Sequence, residues 1–129
     1  MKDNPAYMTS FPFGFLRLVD FSPITSPESP VFIWGYVDSL PTSNNFHAFT
    51  INEYAWDGQD CATAGAHLSQ APGQSHGWMN WPISHTGDLI PVESDATGYD
   101  WYSNLPGSYK ASMYNPGSII GLSLVIYEF

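Results

Sequence analysis

The chain is poor in cysteine, in cations and in long apolar runs. One cysteine, Cys61, stands among 129 residues. No disulfide closes within the chain, which leaves either a free thiol or a bridge to another molecule. Lys2, Arg17 and Lys110 are the cations against 12 acids, for a net charge of −9. That balance argues against nucleic acid or an anionic membrane surface as partner, since neither phosphate neutralisation nor a basic patch is on offer. No stretch approaches the roughly 20 apolar residues of a membrane helix, so no membrane insertion of that kind is expected. The opening run Met1-Lys-Asp-Asn-Pro-Ala-Tyr7 lacks the basic-then-apolar order of a signal peptide.

Aromatic residues are abundant at 16%, while charged residues make up 12%. This is the composition of a packed protein rather than a disordered one. The length suits a single domain, residues 1–129. A chain of this size buries roughly two thirds of its unfolded surface, enough for a core without cross-links. Eleven prolines and eleven glycines interrupt it, and the segments between them are short and rich in β-branched and aromatic residues. Strands are expected at Phe15–Phe21, Val31–Val37, Phe46–Tyr54, Gly87–Val92, Gly98–Ser103 and Ile119–Tyr127. Ser22 to Pro30, with three prolines, is expected to turn. Many short strands joined by long connections imply an all-β Greek-key barrel or sandwich.

The longest irregular stretch runs from Ala55 to about Ser84, and a loop of that length inside a compact domain is usually functional or tied by a metal. Three of the four histidines, His67, His76 and His85, fall in or beside it, and Asp88 follows the last of them. Imidazole nitrogens and one carboxylate oxygen suit a tetrahedral zinc site when no thiolate takes part. Four protein ligands leave no open position, so one structural zinc ion is expected, pinning the loop.

Several of these segments together resemble the Cu/Zn superoxide dismutase family. Phe46-His-Ala-Phe-Thr-Ile-Asn-Glu-Tyr54 looks like its copper-binding strand, and Cys61-Ala-Thr-Ala-Gly-Ala-His67 like its Cys-x-Ser-Ala-Gly-x-His. His76-Gly77, His85-Thr-Gly-Asp88-Leu and Ile119-Ile-Gly-Leu-Ser-Leu-Val-Ile-Tyr-Glu128 resemble further family motifs in the same order, and Val31-Phe-Ile-Trp-Gly35 matches an early strand. The resemblance implies the family's Greek-key β-barrel with a long zinc loop. It implies zinc ligands at His67, His76, His85 and Asp88, with His67 in the place of the imidazolate that bridges zinc to copper. His47 falls where the family's residue bonds to backbone rather than metal.

The copper ligands are not retained. Thr50, Asn52 and Tyr127 stand where the resemblance implies copper-binding histidines. A hydroxyl and an amide oxygen are poor copper ligands, and a phenol must first lose a proton whose reference pKa is about 10. Zinc does not change oxidation state and cannot substitute in dismutation. The family's active-site arginine, the cysteine partner of Cys61 and the final strand have no counterpart before Phe129. No copper is therefore expected, Cys61 is expected to be a partly buried free thiol, and the last strand is expected to be missing. Thr50, Asn52 and Tyr127 are expected to share one outer face as an inert polar patch, with Phe49, Ile51, Leu124 and Ile126 facing inward.

These substitutions favour a non-catalytic domain that serves as a structural or protein-interaction module in an assembly. A residual dismutase, or a zinc hydrolase in which His67 swings away, is the alternative from a different class. A barrel short of a strand exposes unpaired backbone, which invites a protein partner or self-association through the open edge. Phe11, Phe13 and Phe15 alternate and could cover one edge within the chain. Trp56, Trp78, Trp81 and Trp101 with Tyr99, Tyr102, Tyr109 and Tyr114 suit either an interaction surface or packing of loops on the barrel.

Overall fold

Alternating apolar residues build the largest sheet. In the computed structural model, which describes residues 12–20, 31–69, 73, 85–103, 113 and 118–127, strand β1 (Phe13–Asp20) pairs antiparallel with β2 (Val31–Asp38). Along β2 the odd-numbered Val31, Ile33, Gly35 and Val37 are buried while the even-numbered residues are half-buried. That period of two puts one face on the core and turns the other outward.

The expected strand from Phe46 to Tyr54 divides at Ala48. Its first part, β3 (Phe46–His47), pairs with β5 (Val92–Glu93). Its second part, β4 (Phe49–Asn52), pairs with β7 (Ser123–Ile126). Strand β6 (Asp100–Ser103) lies on the other side of β2 from β1, giving the order β1-β2-β6. Between Gly87 and Val92 the expected strand shrinks to β5. The Leu89 N–H donates to Phe49 O, and after Pro91 the chain changes partner, Val92 pairing with His47. Residues 119–122 form a turn ahead of β7, closed by the Leu122 N–H donating to Ile119 O at 3.1 Å.

The layers meet in one core of Val31, Ile33, Phe49, Ile51, Leu89 and Val92 with their neighbours. The Tyr102 ring meets Phe49 edge-on at 5.0 Å, and its hydroxyl donates to Ile90 O at 2.9 Å. Tyr102 is thus a core residue and not part of an aromatic surface. Each fully buried Val, Ile or Phe contributes about 1.5–3 kcal/mol. The described residues contain no α-helix, only a short 3₁₀ turn at Cys61–Ala64. The architecture is an all-β sandwich. Phe13 and Phe15 lie in β1, which pairs with β2 and is itself an edge strand of the three-stranded sheet among the described residues; Phe11 lies outside the described residues.

Candidate metal centre

Sheet register brings the site together. Asn52 bridges His67 and Thr50 bridges Asp88, both antiparallel, so two segments distant in sequence lie along β4. Three backbone bonds lock them: Ile51 N–H to Gly87 O, Leu68 N–H to Ile51 O and Gly87 N–H to Leu68 O, each at 2.8 Å. A Cβ at Gly87 would run into the Ile51 carbonyl oxygen and lie 2.8 Å from Leu68 N. Only glycine lets the three backbones approach so closely. The Asp88 N–H donates to His85 O at 3.1 Å, and this tight turn sets the His85 and Asp88 side chains side by side.

His67 Nδ1 lies 2.8 Å from Asp88 Oδ1, and His85 Nδ1 lies 3.9 Å from Asp88 Oδ2. The His67 and His85 rings are 6.2 Å apart and nearly perpendicular. One donor atom from each of His67, His85 and Asp88 falls within 4.8 Å of the others. Two imidazoles and a carboxylate converging at that range fit zinc in ligand type. His76, the fourth expected ligand, lies outside the described residues.

The positions expected to have lost copper ligands do share a face, but they are not an exposed patch. Thr50 is 3% and Asn52 1% exposed. The Thr50 hydroxyl donates to Asn52 Oδ1 at 2.5 Å, and Asn52 Nδ2 donates to Gly65 O at 2.8 Å and to the Tyr127 hydroxyl at 3.2 Å. The Tyr127 ring lies 5.8 Å from that of His67. The physical reason is packing: all four residues of β4 are buried, the His67 and Asp88 segments bridging it along one edge while the Gly65 carbonyl and the Tyr127 hydroxyl close over the Asn52 side chain. Phe49 and Ile51 lie in the core, with Leu124 and Ile126 packed against it. Asn52→Ala should cost about 2–3 kcal/mol in urea unfolding, since it strands Gly65 O and the Thr50 hydroxyl away from water.

His47 is fully buried; its Nδ1 donates to Tyr127 O at 3.1 Å and its Nε2 lies 3.3 Å from Ser94 Oγ. It is a backbone tie, as expected, although nothing in the sequence marks Ser94 as its second partner. Cys61 is free but exposed, not partly buried, because it opens the 3₁₀ turn on the outer side of its loop. Trp56, Trp101 and Tyr99 are exposed; Trp78, Trp81, Tyr109 and Tyr114 lie outside the described residues.

The described half of the long loop carries much of its own order. Asp57 Oδ1 accepts from the N–H groups of Gln59 and Asp60, and Asp60 Oδ1 accepts from Ala62 N–H to cap the 3₁₀ turn. The Asp60 and Gln59 donors hold the Asp57 carboxyl below the usual carboxylate range. The Glu53 and Tyr54 N–H groups donate to Ala66 O and Ala64 O, and the Ser123 hydroxyl donates to Tyr54 O at 2.7 Å.

The family model described as copper/zinc superoxide dismutase matches residues 18–129. A protein of Autographa californica nuclear polyhedrosis virus bearing the name of Cu-Zn superoxide dismutase is 33% identical over 103 residues, 79% of this chain and 65% of that protein. A counterpart in Orgyia pseudotsugata multicapsid polyhedrosis virus is 31% identical over 106 residues, 79% and 64% of the two chains. The Cu-Zn superoxide dismutase 4 of Dictyostelium discoideum is 33% identical over 100 residues, 78% and 64%. The chain thus spans about two thirds of the length of these relatives.

Proposed function

The chain belongs to the copper/zinc superoxide dismutase family, and from that premise we propose that it is a non-catalytic member, a zinc-holding domain without copper that serves as a structural or assembly module. The observation that carries this reading is the closed hydrogen-bond network of Thr50, Asn52 and Tyr127 beside His67. The polar atoms at these positions are engaged with one another and with Gly65 O. The Asn52 amide nitrogen has no lone pair for a metal, and its oxygen already accepts from Thr50. Copper held mainly by imidazoles cycles between oxidation states; a hydroxyl, an amide and a phenol do not make that site. The donor set therefore does not fit copper.

His67, His85 and Asp88 would hold zinc, with His76 as the fourth ligand. Bound zinc would supply a fixed divalent charge that ties the His67 segment to the His85–Asp88 turn, without redox chemistry. The chain's own residues do the remainder: Gly87 permits the close approach, and the β4 bridges set the ligands on one face. A chain of net charge −9 also repels anionic superoxide, which weakens its capture.

Elemental analysis of the protein loaded with both metals, with a superoxide assay, tests the proposal. One zinc per chain, copper well below one, and no turnover above that of free ions are the expected results. Stoichiometric copper with superoxide turnover would overturn it.

A further inference from the structure

The outward face of the β1-β2-β6 sheet is aromatic where a solvated sheet face is ordinarily polar. Phe15, Tyr36 and Trp101 stand in one row across the three strands, and Tyr99 stacks on the Tyr36 ring at 6.1 Å. Phe15 is 48% and Trp101 55% exposed. The rings do not share a plane. Phe15 stands at 88° to Tyr36 and at 79° to Trp34, so no flat platform for stacking a sugar ring runs across the sheet.

The chain itself shows what this surface holds. The Arg17 guanidinium lies over the Trp34 ring at 5.9 Å, where the negative π-face attracts a cation. Arg17 is the one cation among the described residues. Tyr36, Tyr99 and Trp101 therefore receive none from those residues.

Acids gather at the end of the face remote from Arg17. Asp38 faces outward there, paired with Phe13 at the start of β1. The Asp95 carboxylate accepts from the Tyr99 N–H at 3.1 Å. Burial, followed by the charges of Glu93 and Asp95, pushes the Asp100 carboxyl above the ordinary carboxylate range. Negative charge is thus concentrated beside the Tyr36, Tyr99 and Trp101 rings. With a net charge of −9 behind it, its field draws in cations and turns anions away.

We propose that this face docks an extended, arginine-rich segment of another protein. Outward residues of a strand recur about every 7 Å, and an extended segment presents alternate side chains at the same spacing. Arginines at alternate positions lay their guanidinium groups on successive rows, over the rings and beside Asp38, as Arg17 does on Trp34. Guanidinium suits this better than ammonium, being planar and more weakly hydrated. A segment of eight residues matches the length of β1 and of β2. Such a partner fills the assembly role proposed above, on which this inference rests. The metal centre lies along β4, so copper binding with turnover would remove that role without altering the titration below, and the two fail separately.

Fluorescence anisotropy of a labelled eight-residue peptide of alternating arginine and serine, titrated with the full chain, tests it. Saturable binding is expected at about 10–100 μM in about 50 mM salt, weakening about tenfold in about 500 mM salt. The lysine counterpart should bind about threefold more weakly. Trp101 and Trp56 are both 55% exposed, which makes them a matched pair. Trp101→Ala should weaken binding about fivefold, and Trp56→Ala should leave it within about twofold. Asp38→Lys should weaken it about tenfold, with melting curves confirming that each variant is folded. Absence of saturation up to about 1 mM overturns the proposal, as does an equal response to the two tryptophan variants. So does a glutamate–serine peptide, or the neutral oligosaccharide cellohexaose, that binds as tightly as the arginine peptide.

Discussion

Stripping zinc from the folded protein with a strong chelator is expected to lower its thermal midpoint by about 10 °C. Structural zinc contributes on the order of 10 kcal/mol to small domains whose order depends wholly on the metal. This chain asks less of it. Asp57 and Asp60 organise the first part of the long loop by accepting backbone N–H donors, and the Leu68 and Gly87 backbones are bonded to each other and to Ile51. On the proposed reading, the metal's share would be to hold together the His67, His85 and Asp88 side chains, which already converge without it. A contribution of about 3 kcal/mol is reasonable there, and for a domain of this size that shifts the midpoint by about 10 °C. Asp88→Ala should reproduce the drop and make the protein indifferent to chelator. An unchanged melting curve, with elemental analysis showing the zinc gone, would remove the structural role assigned to the ion.

Strand positions were legible in the sequence as short runs of β-branched and aromatic residues between proline and glycine breaks. Val31–Val37 reads as apolar on both faces, so which face packs on the core shows only in the burial alternation of β2. The segment Phe46–Tyr54 was legible as extended but not as two strands in two sheets. That division depends on Ala48 O accepting from Tyr127 N–H across 79 residues of chain, and no local pattern encodes it. The order of His67, His85 and Asp88 in the sequence suggested that they converge, and their donor atoms do lie within 4.8 Å of one another; His76, the fourth expected ligand, lies outside the described residues. The fate of the copper positions was not legible. Alternation correctly placed Thr50 and Asn52 on the face away from Phe49 and Ile51, but not what lies on top of them. The Gly65 carbonyl and the Tyr127 hydroxyl close over that face, so residues suited to a surface became an internal network. Tyr102, for which the sequence left surface and packing roles both open, lies in the core, and Cys61, expected to be partly buried, is exposed.

Gly87→Ala should be among the most damaging single substitutions in this chain, although it adds one methyl group. The new Cβ would press on the Ile51 carbonyl oxygen, lie 2.8 Å from Leu68 N and 3.1 Å from Leu68 Cβ. The first two are backbone atoms, which no side-chain rotation can move aside. Relief requires the β4, Leu68 and Gly87 backbones to separate, lengthening the three 2.8 Å hydrogen bonds that join them. Overpacking together with weakened buried backbone bonds should cost about 3 kcal/mol or more. Asp88 is the next residue and His67 adjoins Leu68, so the same separation pulls the ligands apart. Zinc affinity should fall about 10- to 100-fold, the range seen when the groups that orient a metal's ligands are disturbed. Gly121→Ala is the control. Gly121 has φ +86° with nothing within 4 Å of the added carbon, so it should lose about 1–2 kcal/mol to backbone strain alone and leave zinc affinity unchanged. Urea unfolding and a competitive zinc titration on both variants separate the two effects. If Gly87→Ala matches the parent protein in both, the close approach of the three backbones does not build this centre.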